Sequence, residues 1–553
     1  MFSRNYFKLY ILVWTFKFCK LFELNTNVCA NIECSCIREI TSNYITCNMA
    51  DDHSSKSNSK AINSTLFRAV DTFTIVLNST DYKLPKKFLN DLDIDLLILI
   101  DNSLTKLDPE PFDGIKSIRN LYLSNNRFRS INFQNFTLNF TDNLESLILK
   151  NNSLEFIPDL ARFNNLNYLD LSYNIIQTIN DTVFMNLTRL ETLDLSNNYL
   201  NKLDLRFFSN SIKRSLEKFS LDFNFIEILS SFENFTSLND LSLSFNRIKF
   251  IDNATFFYSE NLKQLDLSYN KISKLHNSAF RSLSRLTKLD LSYNYLNSLH
   301  EDNFKDLIKL EKLWLQYNYF KQINLNHFKS LSLLNMLDLS NNDIERVIFN
   351  EEHNNFPSVK MLRLSSNKLS SIDFLKMFHN LKILYLNNNY LSKIPNDITN
   401  LIKLDVSNQN GRLKYLADYA FTRKFNNKYL IKINISGNPD LLIKNKTFCL
   451  NDNYKLDNSF LDLFISKSTL ANTNRCIIKQ LAHKFRRTRV FVVNDTVPLK
   501  QNNAHIDDIC KCDFRLYLAN FNILIRDFCP RYKTYCFDEE FHDDCNSQTQ
   551  FDC

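Results

Sequence analysis

The stretch Leu286–Leu296 reads LTKLDLSYNYL, and Leu262–Ile272, which starts 24 residues earlier, reads LKQLDLSYNKI. Both follow the pattern Leu-x-x-Leu-x-Leu-x-x-Asn-x-Leu or Ile. Leu289 and Leu291 lie two residues apart, so on a strand they point to one face while Asp290 points to the other. The leucine pair predicts a short strand with one buried face, and the repetition predicts a row of such strands.

Two other residue types recur at the same period. A phenylalanine returns every 24 residues over more than 200 residues, with Leu160 in the one gap. The phenylalanines are Phe88, Phe112, Phe136, Phe184, Phe208, Phe232, Phe256, Phe280, Phe304 and Phe328. The recurring asparagines are Asn78, Asn102, Asn126, Asn152, Asn174, Asn198, Asn224, Asn246, Asn270, Asn294, Asn318, Asn342, Asn367 and Asn389. A fixed period of this size marks a solenoid, in which no unit buries its apolar face alone.

The two rows have different physical roles. A buried turn leaves backbone groups out of reach of water, and an asparagine amide has two donors and an acceptor with which to bond them. The sequence therefore predicts an asparagine ladder along the turns and a phenylalanine row along the opposite, outer edge of the core. The alternative, a few leucine-rich helices, gives no reason for an asparagine at a fixed offset from three leucines.

These phrases resemble the 24-residue leucine-rich repeats of extracellular recognition proteins, such as Toll-like receptor ectodomains and Slit. The resemblance implies an α/β leucine-rich-repeat solenoid (horseshoe) with a parallel β-sheet on the concave face, an irregular or 3-10 convex side, and disulfide-capped ends. An insertion at Asn408–Gly411 obscures one asparagine position. We count about 16 repeats, which start at Val70, Ile94, Ile118, Leu144, Leu166, Leu190, Leu216, Leu238, Leu262, Leu286, Leu310, Leu334, Val359, Leu381, Leu401 and Leu430.

The first 25 residues read as a secretory signal peptide. Basic residues precede an apolar core, Leu9–Phe16, that is too short to span a bilayer. No later apolar run reaches membrane length, so we expect a secreted, extracellular protein whose cell-surface association would need a partner. The predicted domains are a signal peptide at 1–25, an N-terminal cysteine cap at 26–69, leucine-rich repeats at 70–440 and an enlarged C-terminal cysteine-rich cap at 441–553.

The cysteines lie at the two ends of the repeat array. None occurs between Cys47 and Cys449, and loss of the signal peptide would leave twelve of the thirteen, an even number that fits full pairing. The front group, with Ile45–Cys47 as a strand, resembles the N-terminal cap of extracellular leucine-rich repeat proteins, and the rear group resembles their C-terminal cap. Zinc binding is the alternative, and the pairing stays open. The predicted disulfide cysteines are Cys29, Cys34, Cys36, Cys47, Cys449, Cys476, Cys510, Cys512, Cys529, Cys536, Cys545 and Cys553.

Glycosylation sequons support an extracellular destination. None occurs between Asn253 and Asn434, which leaves a long glycan-free stretch. The predicted glycosylation sites are Asn63, Asn135, Asn139, Asn180, Asn186, Asn234, Asn253, Asn445 and Asn494.

The outward residues of the strands in the glycan-free stretch differ from those in the rest of the array. Most outward positions in the array are polar, often Asp, whereas later repeats carry Trp, Met, Ile and Tyr there. Exposed residues of these types are typical of interface anchors. The alternative for Tyr317 is that a tyrosine before the ladder asparagine belongs to the repeat pattern. The predicted ligand-binding residues are Trp314, Tyr317, Met336, Met361, Ile383 and Tyr385.

Other chemistry has little support in the sequence. Lys484, Arg486, Arg487 and Arg489 form a weak candidate for binding a polyanion such as a glycosaminoglycan, and a solvated charged face is the alternative. The formal net charge of +7 is modest and requires no nucleic-acid partner. We find no phosphate loop, metalloprotease motif or nucleophile elbow. The sequence predicts no enzymatic activity, no cofactor and no metal site.

The leading hypothesis is a secreted or cell-surface-associated recognition protein. It would bind an extracellular protein ligand or receptor through the concave face of the repeats, in adhesion, signalling or ligand capture. One alternative is a matrix-structural protein that binds collagen or a glycosaminoglycan. The other is innate-immune recognition of microbial lipid or glycan, as the Toll-like resemblance suggests.

Overall fold

The chain divides into two compact units, residues 1–220 and 221–553, and each is described by itself. The structure is a computed structural model. It describes residues 34–38, 44–49, 69–77, 86–87, 89–100, 104–180, 183–351, 355–394, 401–416, 430–443, 456–466, 468–469, 485–493 and 511–512.

The first unit is built on strands that pair in chain order. Its first two strands are antiparallel, with Cys36 opposite Cys47 in the backbone register, and the later pairs are parallel. The second strand contains the predicted strand Ile45–Cys47. The strands are Cys34–Arg38, Tyr44–Met49, Ala69–Leu77, Asp93–Ile100, Ser117–Tyr122, Ser146–Ile148, Tyr168–Asp170, Thr192–Asp194 and Lys218–Ser220.

The second unit continues the same repeat plan. Its sheet strands are Asp240–Ser242, Gln264–Asp266, Lys288–Asp290, Lys312–Trp314, Met336–Asp338, Met361–Arg363, Ile383–Tyr385, Lys403–Asp405, Leu430–Asn434, Leu456–Ser466, Phe485–Val493 and Lys511–Cys512. They pair in parallel up to Phe485–Val493, and the last pair is antiparallel. Each predicted repeat start lies within a strand or two residues before one. Leu456–Ser466 and Phe485–Val493 extend the sheet past residue 441, where the sequence predicts a cap.

Some of the segments that connect the strands of the main sheet carry short elements. The 3-10 helices are Glu110–Phe112, Leu205–Phe207, Leu325–Phe328 and Asp373–Met377, and two six-residue α-helices are Leu138–Asn143 and Asn210–Ser215. Three parallel strand pairs also lie here. They are Phe250–Ile251 with Lys274–Leu275, Gln322–Asn324 with Arg346–Ile348, and Lys393–Ile394 with Tyr415–Leu416. The predicted irregular or 3-10 outer side is thus confirmed, and the two α-helices are additions to it.

The core contains the two apolar rows that the sequence predicts. Leu289 and Leu291 are fully buried, and every described member of the phenylalanine row, with Leu160, is at most 3% exposed. From Phe232 to Phe328 the successive rings lie 5.7 to 6.4 Å apart between centroids. Burying each such side chain contributes roughly 1.5–3 kcal/mol, so the row is a major source of stability along the coils. Phe88 lies outside the described residues.

The asparagine ladder joins each coil to its neighbour. Asn294 donates from Nδ2 to the carbonyl oxygens of Leu267 at 2.9 Å and Leu291 at 3.2 Å, and its Oδ1 accepts from the Ile272 N–H at 2.9 Å. One amide therefore satisfies groups of two coils. Within their own unit, the same bonds to the preceding coil are made by Asn152, Asn174, Asn198, Asn246, Asn270, Asn318, Asn342, Asn367 and Asn389.

The ladder position that the insertion obscures is occupied by a glutamine. Gln409 Nε2 donates to the Leu386 carbonyl at 2.8 Å, and its Oε1 accepts from the Leu391 N–H at 3.1 Å. Asn438 takes the next place, since its Oδ1 accepts from the Gln409 N–H at 2.9 Å. The extra methylene of glutamine thus reaches the same backbone groups as asparagine. Asn78 and Asn102 lie outside the described residues.

Candidate functional site

The sheet of the second unit has two columns of side chains on its face away from the leucine core. In most of its three-residue strands the middle residue is buried, and the first and third point away from the core. The first column contains, in register, Gln264, Lys288, Lys312, Met336, Met361, Ile383, Lys403 and Lys432. The second column contains Asp266, Asp290, Trp314, Asp338, Arg363, Tyr385, Asp405 and Asn434.

Five of the six predicted ligand-binding residues lie in these columns. Met336, Met361 and Ile383 are consecutive in the first column, and Trp314 and Tyr385 lie in the second. All five are half-buried. We call these five residues the sheet-face patch. The fold therefore brings them onto one face, although the sequence spreads them over four repeats.

Two cationic side chains contact the ring of Tyr385, the last residue of the sheet-face patch. The Arg363 guanidinium carbon lies 5.3 Å and the Lys403 ammonium 4.8 Å from its ring centroid, within the range of cation–π attraction. Arg363 Nη1 also lies 3.3 Å from Asp338 Oδ2 in an ion pair, and the Asp338 side chain is only 5% exposed. The ring is thus oriented before any ligand arrives.

Arg363 and Lys403 were not predicted as part of the site. Each belongs to a different repeat from Tyr385, and neither repeat has the 24-residue spacing that makes columns easy to align by eye. Their positions within the strands could have revealed them. Arg363 has the same third position in its strand as Tyr385, and Lys403 has the first position in the strand that follows.

The carboxylates of the second column accept hydrogen bonds from backbone N–H groups. Asp266, Asp290, Asp338 and Asp405 each accept the N–H of the serine two residues later, at 2.8 to 3.1 Å. Burial raises the pKa of Asp266 and Asp405 above its usual range, and it raises the pKa of Asp290 to about 6. Because these carboxylates are bonded internally, they contribute less free negative charge to the face than their number suggests.

The sixth predicted residue, Tyr317, belongs to another feature. It ends a stack of five rings, Phe223, Phe245, Tyr269, Tyr293 and Tyr317, whose successive centroids are 3.9 to 4.1 Å apart and whose planes are nearly parallel. We call this the aromatic stack. The sequence predicted a role only for Tyr317, and Phe223 and Phe245, at the same offset in earlier repeats, lie outside the glycan-free stretch.

The backbone of the aromatic stack is left-handed. Its residues have φ between 52° and 56°, a region that bulky side chains rarely adopt and that asparagine tolerates. Asn341 and Asn388 occupy the equivalent position in later repeats with φ of 53° and 57°. Ring stacking offsets part of the conformational cost at the aromatic positions. The stack gives Tyr317 a role within the repeats, and its role in ligand binding stays a prediction.

The other predicted modification sites fall partly outside the described residues. The asparagines of six sequons are described and all are exposed: Asn135, Asn139, Asn180, Asn186, Asn234 and Asn253. Asn63, Asn445 and Asn494 lie outside the described residues. Glycosylation itself stays a prediction.

The basic cluster and the cysteines are described at most by their backbone. Arg486, Arg487 and Arg489 lie in strand Phe485–Val493, while Lys484 lies outside the described residues. Cys34, Cys36, Cys47 and Cys512 lie in strands. The remaining predicted cysteines are outside the described residues, and disulfide formation stays a prediction. They are Cys29, Cys449, Cys476, Cys510, Cys529, Cys536, Cys545 and Cys553.

Neither a metal-binding group of side chains nor a membrane-spanning helix is present in the described ranges. In these ranges no three or more His, Cys, Asp or Glu side chains are grouped so that they could hold a metal ion. The helices found in the same ranges are all too short or too polar to cross a bilayer.

Comparison with known proteins places the repeats in a family. Models described as leucine rich repeat match residues 142–200, 236–296 and 284–344, and a two-copy model matches 357–400. The human "Leucine-rich repeats and immunoglobulin-like domains protein 1" is 29% identical over 159 residues, which cover 28% of this chain and 14% of that protein. An adenylate cyclase of Schizosaccharomyces pombe is 28% identical over 183 residues, covering 28% of this chain and 11% of the cyclase. The chain thus spans a small part of the length of these relatives, and repeat similarity alone assigns no activity.

A solved structure confirms the fold over a longer range. The chain matches Toll in the glycosylated Toll–Spatzle complex of Drosophila with a TM-score of 0.60 and 17% identity, covering 90% of this chain and 80% of that one. At this identity the likeness concerns the fold. Together with the family models, the parallel sheet and the asparagine ladder, it establishes that this chain is a leucine-rich repeat protein.

Proposed function

We propose that the chain is a secreted or cell-surface-associated recognition protein that binds a protein ligand with the sheet-face patch. The leucine-rich repeat fold is typical of protein-interaction and receptor-like proteins, so binding is the class of function to test first. Fold alone does not give function, and the proposal therefore depends on the patch.

The observation that carries the proposal is the composition of the patch. Trp and Tyr are the residue types most enriched at the centres of protein interfaces, and methionine adapts its shape to a partner. Trp314 and Tyr385 lie at the two ends of the patch along the strand order, with Met336 and Met361 between them. Solvent-facing apolar residues on a hydrogen-bonded sheet give a partner a surface with little flexibility to lose on binding.

Two further facts support this location. No sequon lies between Asn253 and Asn434, so predicted glycans would leave the patch open. The Toll structure with a similar fold was solved in complex with Spatzle. That complex belongs to Toll, and it supports the present proposal only as an analogy between similar folds.

The test starts with an extracellular interaction screen using the full glycosylated chain, followed by affinity measurements on variants. We expect Trp314→Ala and Tyr385→Ala each to weaken binding of the identified protein by about 2 kcal/mol or more, as central aromatic anchors do. Tyr295→Ala is the matched control, because Tyr295 is 48% exposed and lies beside Tyr319 rather than on the sheet face. The proposal is wrong if both patch variants are folded and bind the ligand with unchanged affinity.

Secretion is tested separately. On expression in eukaryotic cells, we expect the chain in the medium with its N-terminus near residue 26 and with a mass that falls on enzymatic removal of N-glycans. Retention inside the cell with an intact N-terminus would contradict this part of the proposal.

A further inference from the structure

The first column of the sheet has a symmetrical order of side chains around its apolar centre. Lys288 and Lys312 precede Met336, Met361 and Ile383 in the register, and two more lysines, at 403 and 432, follow them. Neighbouring strands lie roughly 4.8 Å apart, so these side chains form one continuous row across seven strands.

Two further lysines flank the same centre. Lys360 and Lys382 immediately precede the strands Met361–Arg363 and Ile383–Tyr385; Lys360 is exposed and Lys382 is half-buried. We call the six residues that surround the apolar centre the lysine frame: Lys288, Lys312, Lys360, Lys382, Lys403 and Lys432.

Little of this positive charge is neutralised within the protein. In the described part of the chain, Lys312, Lys360 and Lys382 have no carboxylate within 4.0 Å of their ammonium groups. Lys288 donates to a neutral amide oxygen, that of Gln264, at 3.0 Å. The exposed Glu311 at one corner supplies a single negative charge.

The other two lysines are only loosely engaged. Lys403 lies over the ring of Tyr385, and Lys432 is 4.0 Å from Asp462 Oδ2, the outer limit for an ion pair. The nearby Asp338 pairs with Arg363 instead. The frame therefore keeps an excess of positive charge around an apolar centre.

From this arrangement we infer that the partner of the sheet-face patch is an acidic polypeptide surface, with apolar side chains at its centre and Asp or Glu residues around them. This inference rests on the proposed function and specifies its partner. Carboxylates on the partner would meet the frame while its apolar residues cover Met336, Met361 and Ile383. Such complementarity raises the association rate and excludes basic partners.

A sulfated polysaccharide fits the same face less well. It carries no aliphatic or aromatic side chains to pack against Met336, Met361 and Ile383, so most of the apolar centre would remain in water. A protein surface can place its negative charges at the rim alone, which is the distribution that the frame requires.

The experiment selects binders from displayed libraries of random peptides against the full glycosylated chain. Each enriched clone is then tested on the variant Met361→Asp, on the double variant Lys312→Glu/Lys382→Glu, and on Lys271→Glu/Lys274→Glu. The last is the matched control, because Lys271 and Lys274 are both exposed and lie outside the two columns.

We expect the clones whose binding is abolished by Met361→Asp to be enriched in Asp and Glu beside aromatic and aliphatic residues. Their affinity should fall about tenfold in the Lys312→Glu/Lys382→Glu variant and stay unchanged in the control. Their binding to the unaltered chain should also weaken as salt is raised, a measurement that needs no variant.

Other results separate the possible failures. Clones that depend on Met361 and carry neutral or basic sequences would overturn the inference and leave the proposed function standing. Strong selection with no clone dependent on Met361 would count against the proposed function itself. If a heparin oligosaccharide bound the chain, lost binding in the Lys312→Glu/Lys382→Glu variant and displaced the acidic clones, the face would be a polyanion site and the inference would be wrong.

Discussion

Two stretches of the sheet in the second unit have the same inward side and different outward sides. The strands Gln264–Asp266 and Lys288–Asp290 present polar and charged residues to solvent, whereas the strands from Lys312–Trp314 to Ile383–Tyr385 present the sheet-face patch. On the inward side of both stretches, the middle leucine of each strand is buried and the asparagine ladder continues. The fold therefore constrains the inward residues and leaves the outward ones free to carry recognition.

The largest effect should come from the shared scaffold, and it should be equal in the two stretches. Asn294→Ala in the polar stretch and Asn367→Ala in the patch stretch each leave backbone groups of two coils without partners. We expect each to reduce the free energy of unfolding by about 3–5 kcal/mol, measured by chemical denaturation. Asn277→Ala, at an exposed position, is the control. A large loss at only one ladder site would contradict a common scaffold.

The polar stretch should have a pH dependence of its own. Burial raises the pKa of Asp290 to about 6, so between about pH 4 and pH 6 the folded chain holds a proton that the unfolded chain has lost. This contribution to stability is present below about pH 4 and is lost as the pH rises through about 6.

The variant Asp290→Asn removes that titration while keeping an oxygen acceptor for the Ser292 N–H. We expect it to be more stable than the unaltered chain by about 3 kcal/mol near pH 7 and equal to it near pH 3, in thermal or urea unfolding at each pH. Asp306→Asn, an exposed control, should leave the profile unchanged. A difference that persists at low pH would point to packing rather than charge.

A smaller effect tests the aromatic stack, which runs from Phe223 to Tyr317, three residues after the strand Lys312–Trp314. Tyr293 contacts a ring on each side, at 3.9 Å and 4.0 Å, whereas Tyr317 ends the stack. Asparagine suits the left-handed backbone, so Tyr293→Asn removes one ring and both of its stacking contacts without new strain. We expect a loss of about 1–2 kcal/mol for Tyr293→Asn and about half of that for Tyr317→Asn, measured by denaturation. Equal losses would show that stacking is not the source of the stability.

The smallest effect should come from exchanging an outward residue between the stretches. Met361→Gln places in the patch the residue type that Gln264 has in the same column. We expect stability to change by less than about 1 kcal/mol, since the side chain faces solvent. The buried neighbour is the contrast, because Leu362→Ala should cost about 2–5 kcal/mol. A large loss for Met361→Gln would mean that the patch supports the fold, and the distinction between the two sides would fail.

The accuracy of the sequence-based predictions follows from the regularity of the repeat. Where copies are 24 residues apart, as from Asn246 to Asn342, each contact has the same sequence offset, so the strand, ladder and phenylalanine positions could all be predicted. Where the spacing changes, as between Asn389 and Asn438, the offset no longer identifies the partner. The ladder role of Gln409 could not be predicted for this reason, because its residue type also differs from asparagine by one methylene. Likewise the strands Leu456–Ser466 and Phe485–Val493 have no ladder phrase to mark them.

The sequence by itself determined the inward side of this protein: the leucines, the ladder and the phenylalanine row recur because each coil must bury the same face against the next. The tertiary structure decided the outward side. It placed Arg363 and Lys403 against Tyr385, surrounded three apolar residues with six lysines, and joined Phe223 and Phe245 to the tyrosines in one stack. The physical reason is that outward side chains need not be buried and so follow no periodic pattern. Their neighbours therefore depend on the register of strands that are far apart in the chain.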